Sequence, residues 1–167
     1  MATAFKGIQG SNYPAVILAC DVNGGKISEY ISLKNVKHAQ INVICQAMAG
    51  STNMTIRRAT TVAGGSAETW TGWDEVFIKT NFSASLAEDA SETIDFSRET
   101  VTTYTEALAT ANSHYVVEID PIQLGIASGW DCLGVAFSDP SGADLITVVV
   151  MLEMLVEAEN PPSPYSD

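Results

Sequence analysis

Period-two alternation runs through most of the chain, and β-branched or aromatic residues supply it, which favours strands over helices. In residues 16–22, Val16, Leu18, Cys20 and Val22 share one face; in residues 26–33, Ile27, Ile31 and Leu33 do. Asn23-Gly24-Gly25 separates the two runs. Asn-Gly suits a tight turn with positive φ at both central positions, so a β-hairpin is expected here. Residues 39–47 give the clearest half-buried strand, with Ile41, Val43, Cys45 and Ala47 on one side and Gln40, Asn42 and Gln46 on the other. Gly50-Ser51 then leads into residues 53–60, where Met54 and Ile56 oppose Thr55 and Arg57, which predicts a second hairpin.

Beyond Gly64-Gly65, residues 68–80 carry Trp70, Trp73, Val76, Phe77 and Ile78, with a shift in alternation that a bulge would accommodate. The pattern weakens over residues 81–111, where one strand is expected near 101–105 and one helical turn over 106–111. Order returns at Tyr115 to Ile119. Asp120-Pro121 then reads as a helix start, because Asp caps exposed N–H groups and Pro suits the first helical position; Gly125 ends that short helix. Leu133, Val135 and Phe137 form the next apolar face, and Asp139-Pro140-Ser141-Gly142 fits a type I turn. From Asp144 onward Ile146, Val148, Val150, Leu152, Met154 and Val156 alternate as in a central strand, although a helix could carry residues 151–159 instead. This pattern predicts an all-β fold, a single-domain antiparallel β-sandwich with at most short helices, of which the jelly roll is one form. Residues 1–15 read as an N-terminal arm, 16–156 as the sandwich, and 157–167 as an acidic, proline-rich tail with little that can pack.

Charge changes the picture of partners. Eight Lys and Arg against twenty Asp and Glu leave a net charge of −12, with no positive field to neutralise phosphates, so nucleic acid is not an expected partner. Nor is a membrane: the most apolar stretch, residues 145–156, contains Glu153 and is far shorter than the ~20 residues a spanning helix needs. The opening MATAFKGIQG lacks the apolar run of a secretory signal, which points to cytoplasmic synthesis. Cys20, Cys45 and Cys132 lie in apolar strand-like runs and are expected to be reduced and buried.

No motif carries chemistry. His38 and His114 have no neighbour at metal-ligand spacing, the three cysteines form no C-x-x-C pair, and there is no G-x-S-x-G elbow. Glu88, Asp89, Glu92 and Asp95 are dense but lack the alternating ligands and central Gly of a calcium loop. No catalytic residue, cofactor or metal ligand is nominated, and a non-enzymatic protein is expected. Candidate protein contacts are aromatic or apolar. Trp70 and Trp73, three apart, would face opposite sides of a regular strand, so at most one would point into the core and the other is the candidate partner contact, with core or sheet-edge packing of both as the alternative. Phe5, Ile8 and Tyr13 form an apolar arm that could dock on a neighbouring chain or pack on its own sandwich, and Trp130 should cover the end of the core at a corner.

Residues 31–70 and 114–137 together resemble a group of small structural proteins of tailed bacteriophages. The features that carry the resemblance are an LKN strand start (Leu33-Lys34-Asn35), a polar-apolar strand, a Gly-bearing turn, a YVVEIDPIQL corner (115–124) and a GWDC strand (129–132). The resemblance implies a virion component, most like a capsid decoration (cement) protein. Such a protein would bind the outer surface of the major capsid protein, often as a homotrimer, after assembly in the host cytoplasm. The resemblance carries over no binding residue. The alternatives are a tail or baseplate structural or receptor-binding protein, and a carbohydrate-binding sandwich module that would use an exposed Trp and the acidic loop.

Overall fold

The computed structural model describes residues 12–80, 96–155 and 165. In chain order its elements are β1 (Asn12–Asp21), β2 (Lys26–Ile27), β3 (Ile31–Ser32), β4 (Val36–Ala47), β5 (Thr52–Ala59), β6 (Glu68–Thr69) and β7 (Glu75–Lys79). There follow β8 (Ser97–Thr100), β9 (Glu106–Leu108), β10 (Ser113–Ile119), the helix α1 (Pro121–Leu124), a 3-10 turn (Ile126–Ser128), β11 (Cys132–Phe137) and β12 (Leu145–Met154). One antiparallel sheet has the order β1-β12-β4-β10-β7-β8. The other is centred on the β11–β5 pair, with β2 and β3 beyond β11 and β6 and β9 beyond β5.

Alternation supplies the core. Ala39, Ile41, Val43 and Cys45 of β4, Ile146, Val148, Val150 and Leu152 of β12, and Tyr115, Val117 and Ile119 of β10 point inward from the first sheet. They join Met54 and Ile56 of β5 and Leu133, Val135 and Phe137 of β11 in one buried cluster, so the fold is an antiparallel β-sandwich. Of the expected inward sets, Ile41, Val43 and Cys45 of β4, Leu133, Val135 and Phe137 of β11, and Ile146, Val148, Val150 and Leu152 of β12 are buried, whereas Ala47 is exposed, Met154 is only partly buried and Val156 lies outside the described residues; β12 is extended to Met154 rather than helical from residue 151.

Both expected hairpins are instead crossings between the sheets. β1 lies in the six-stranded sheet and β2 in the other, and the same holds for β4 and β5. In the first turn Gly25 N–H donates to the Val22 carbonyl at 3.0 Å. Of the two central residues only Gly24 has positive φ, at 77°. Such a turn lacks the twist that matches two paired strands, so the chain splays into the opposite sheet. β1 begins at Asn12, and a register shift between Val16 and Leu18 breaks its alternation. Ala15 and Ile17 therefore turn inward, while Val16 and Cys20 are exposed, which corrects the expected common face and the burial of Cys20. Cys45 and Cys132 are buried.

The shift in alternation after Trp70 is likewise a sheet switch: β6 pairs with β5, and β7 pairs with β10 across the sandwich. Trp70 and Trp73 lie on the connecting segment, not in a strand, and both are buried at 3% exposure. Both pack in the core, so of the two readings the packing one holds and neither is free for a partner. Residues 101–105 link β8 to β9, and residues 106–108 pair with β5 as a strand instead of starting a helical turn. The acidic run at 86–95 and the arm residues Phe5 and Ile8 lie outside the described residues, as does the tail except for Tyr165, whose hydroxyl donates to the Val16 carbonyl at 2.9 Å.

Candidate functional site

The corner after β10 forms as the sequence dictates. The Asp120 side chain accepts from Ile122 N–H at 2.9 Å, Pro121 occupies the start of α1, and Gly125 ends it at φ 102°. Pro121 and Leu124 are buried as the corner's anchors. With successive residues about 100° apart around a helix, these two anchors leave Ile122 pointing out, and it is 82% exposed. Two side chains brace the corner: Trp70 Nε1 donates to the Gln123 carbonyl at 3.3 Å, and Arg58 Nη1 donates to the Leu124 carbonyl at 2.9 Å. The Arg58 guanidinium also lies 4.6 Å from the centroid of half-buried Trp130.

Facing this corner is the start of β4. Val36 N–H donates to the Leu33 carbonyl at 3.1 Å, Asn35 takes a left-handed φ of 62°, and Leu155 N–H, just beyond β12, donates to the Asn35 carbonyl at 2.8 Å. Residues 33–37, residues from 121 to 127, and Leu155 thereby enclose a groove of about 640 Å³ at one end of the sandwich. Its apolar lining comes from Leu33, Val36, Pro121, Ile122, Ile126 and Leu155. Lys34 and Lys37 also line it, paired with Asp131 at 3.5 Å and Glu153 at 2.7 Å. Both lysine side chains stay more than half exposed. Surface ion pairs of this kind are worth at most about 1 kcal/mol, so both ammonium groups can exchange partners with an incoming carboxylate. An apolar groove with cations among its lining residues, on a strongly acidic chain, is suited to docking.

Away from the groove, burial shifts several titratable groups. Burial pushes the Cys45 thiol up to about 11, against a smaller opposing effect of a hydrogen bond with Ser113. That thiol is protonated at neutral pH and is a poor nucleophile. Burial also raises Tyr115 and Glu106. Among the described residues no three His, Cys, Asp or Glu side chains converge as metal ligands. Among them, too, no helix is long and apolar enough to cross a membrane.

Of the residues nominated from sequence, Tyr13 sits opposite Leu152 on β1 and packs half-buried against the core. Trp70 acts from beneath the α1 corner rather than at a surface. The groove residues Ile122 and Leu155 were not nominated. The signal for Ile122 was present, since a four-residue helix with Pro121 and Leu124 buried must turn its second residue outward.

Neither a family model nor a curated protein matches the chain. Among solved structures the chain is similar to the crystal structure of the SPBc2 prophage-derived protein YomS, with a TM-score of 0.46 and 8% identity over 84% of this chain and 91% of that one.

Proposed function

We propose that this is a non-enzymatic structural protein of a tailed-phage virion, a decoration (cement) protein that binds the outer surface of the capsid end-on, through the groove around Ile122. One observation carries the reading. Leu33-Lys34-Asn35 and the start of the α1 corner at Pro121-Ile122, both within the stretches that carry the resemblance, are far apart in sequence yet line the same groove. The partner that fits is a patch of the major capsid protein offering an apolar side chain to the groove and carboxylates to Lys34 and Lys37. A homotrimer at local threefold positions would multiply a modest contact through avidity, with no need of an active site.

Purified virions of the source phage test the proposal. Mass spectrometry and cryo-EM should find the protein on the shell, at a copy number matching the capsid lattice. Absence from the particle, or a low copy number confined to the tail or baseplate, overturns it. An Ile122→Asp variant that keeps its thermal stability should no longer co-sediment with capsids.

A further inference from the structure

The end groove leaves the outer face of the six-stranded sheet unused, and that face is not a plain solvated surface. Because Ala39, Ile41 and Val43 fill the core side of β4, and Tyr115, Val117 and Ile119 that of β10, the side chains of His38, Gln40, Asn42, His114, Val116 and Glu118 project outward. The ladders set Asn42 beside Val116, Gln40 beside Glu118, and Phe77 of β7 beside Val116. Phe96, just ahead of β8, stands edge-on to the His114 ring, with centroids 5.3 Å apart and planes at 74°. Gln40, Asn42, Phe77, Phe96, His114, Val116 and Glu118 line a shallow groove of about 370 Å³, at the small end of the ~300–1,000 Å³ typical of ligand sites.

The polar side chains form one chain of hydrogen bonds. His38 Nε2 meets Glu118 Oε2, Gln40 Nε2 donates to Glu118 Oε1 at 2.7 Å, Asn42 Nδ2 donates to Gln40 Oε1 at 3.2 Å, and His114 Nε2 donates to Asn42 Oδ1 at 3.0 Å. Burial lowers the His114 pKa, so its ring is neutral at pH 7, with Nδ1 left as an acceptor.

We propose that this groove binds a neutral saccharide. The amides and the imidazole each carry a donor and an acceptor, the carboxylate adds two acceptors, and together these planar groups match pairs of vicinal hydroxyls. A hydroxyl both donates and accepts, so it can insert into the existing chain without stranding any member. The rings of Phe77 and Phe96 and the Val116 side chain supply apolar contact for the C–H face of a pyranose. Charge selects against acidic ligands, because Glu118 is a lining residue. The nearby cations lie toward the sheet edge: Lys79 opposite His114, and Arg98 opposite Phe77 and paired with Glu75. The groove is open and shallow, so single-site affinity is weak, and useful binding would depend on many copies acting together. The inference does not depend on the capsid reading, which uses the other groove.

The test is an NMR titration of the isotope-labelled full chain with N-acetyl-D-glucosamine, methyl β-D-galactoside and maltotriose as neutral probes and sialyllactose as the acidic one. At least one neutral probe should give saturable shifts at Gln40, Asn42 and His114. Asn42→Ala and Phe96→Ala should each weaken that binding about tenfold or more, with an unchanged melting temperature. Ile122→Ser should leave the shifts as in the wild type. The proposal is overturned if no neutral probe gives saturable shifts, if the shifts survive both groove variants, or if only sialyllactose binds.

Discussion

Replacing Asp144 by alanine removes the carboxylate that ties the β4–β5 crossing to the start of β12. Asp144 is fully buried, and its Oδ1 accepts from Ala49 N–H at 2.6 Å and from Gly50 N–H at 3.0 Å. Its own backbone continues the tie toward the first crossing: its N–H donates to Asp21 Oδ1 at 3.1 Å, and its carbonyl accepts from Val22 N–H at 3.0 Å. Only glycine fits at position 50 of this crossing, because the Pro140 carbonyl oxygen lies 2.3 Å from where a Cβ would stand. Hydrogen bonds to a charged group contribute about 1.5–3 kcal/mol each, and alanine removes two of them. Part of that loss is offset, since Asp144 Oδ2 is buried without a hydrogen-bond partner among the described residues. The net cost of Asp144→Ala is then about 2–4 kcal/mol. Asp144→Asn keeps the Oδ1 acceptor but makes the two bonds neutral, for a cost of about 1 kcal/mol. At roughly 2–4 °C per kcal/mol for a domain of this size, alanine should lower the melting temperature by about 4–16 °C and asparagine by a few degrees. Urea and thermal unfolding followed by circular dichroism at pH 7 measure both. An alanine variant within about 1 kcal/mol of wild type, or an asparagine variant no better than alanine, refutes the latch.

Other substitutions probe the remaining assignments. Trp70→Ala and Trp73→Ala should each cost about 3–5 kcal/mol in urea unfolding. Trp73→Phe should be milder than Trp70→Phe, because the Trp73 indole N–H is buried without a partner among the described residues whereas that of Trp70 bonds Gln123. A Trp73→Ala variant of full stability that failed only in capsid binding would restore the contact role first assigned to that residue. In thiol labelling of the native protein, exposed Cys20 should react first and buried Cys45 and Cys132 only on unfolding; Cys20→Ser should abolish the fast phase. The N–H groups of Ser141 and Gly24 hold the Asp139 carboxyl below its ordinary value of 3.8. A depressed folded pKa stabilises above the unfolded value and loses that contribution as pH falls through the folded one. Asp139→Asn should therefore be less stable than wild type at pH 7, and the gap should close as pH falls below about 3.8, as read by melting temperature across pH.

Strand faces were legible because burial on one side of a strand forces alternation, as β4 and β12 demonstrate. Pairing partners were not. Asn23-Gly24-Gly25 has the composition of a hairpin turn, and only the backbone angle of Asn23 separates a hairpin from a crossing, a difference that no side chain records. The bulge at Ile17 hid the true inward set of β1 for a related reason: one unpaired residue reverses every later side chain. The period-two rule that would put Trp70 and Trp73 on opposite faces fails because their segment is not a strand, and both enter the core. The α1 corner was read correctly because Asp120, Pro121 and Gly125 each act through local geometry. The groove it forms with Leu33, Val36 and Leu155 was beyond reach, since that needs the order of strands in the sheet.

The two grooves occupy different kinds of surface on the sandwich, and this makes the two proposals separable. The end groove is set where β4 begins at Val36, whereas Asn42 of the face groove lies six residues further along the same strand, about 20 Å away. β4 is a central strand flanked by β12 and β10, so its backbone is held on both sides and transmits little displacement from one groove to the other. Ile122 and Phe96 are both exposed, so truncating either alters a surface without opening a cavity. Substitutions that far apart, with no shared partner, act independently. Ile122→Asp should therefore abolish capsid co-sedimentation and leave the saccharide titration untouched, while Asn42→Ala and Phe96→Ala should do the reverse. If either class of variant impairs both readouts at unchanged melting temperature, the grooves form one contact surface, and the division of labour argued from the fold is wrong.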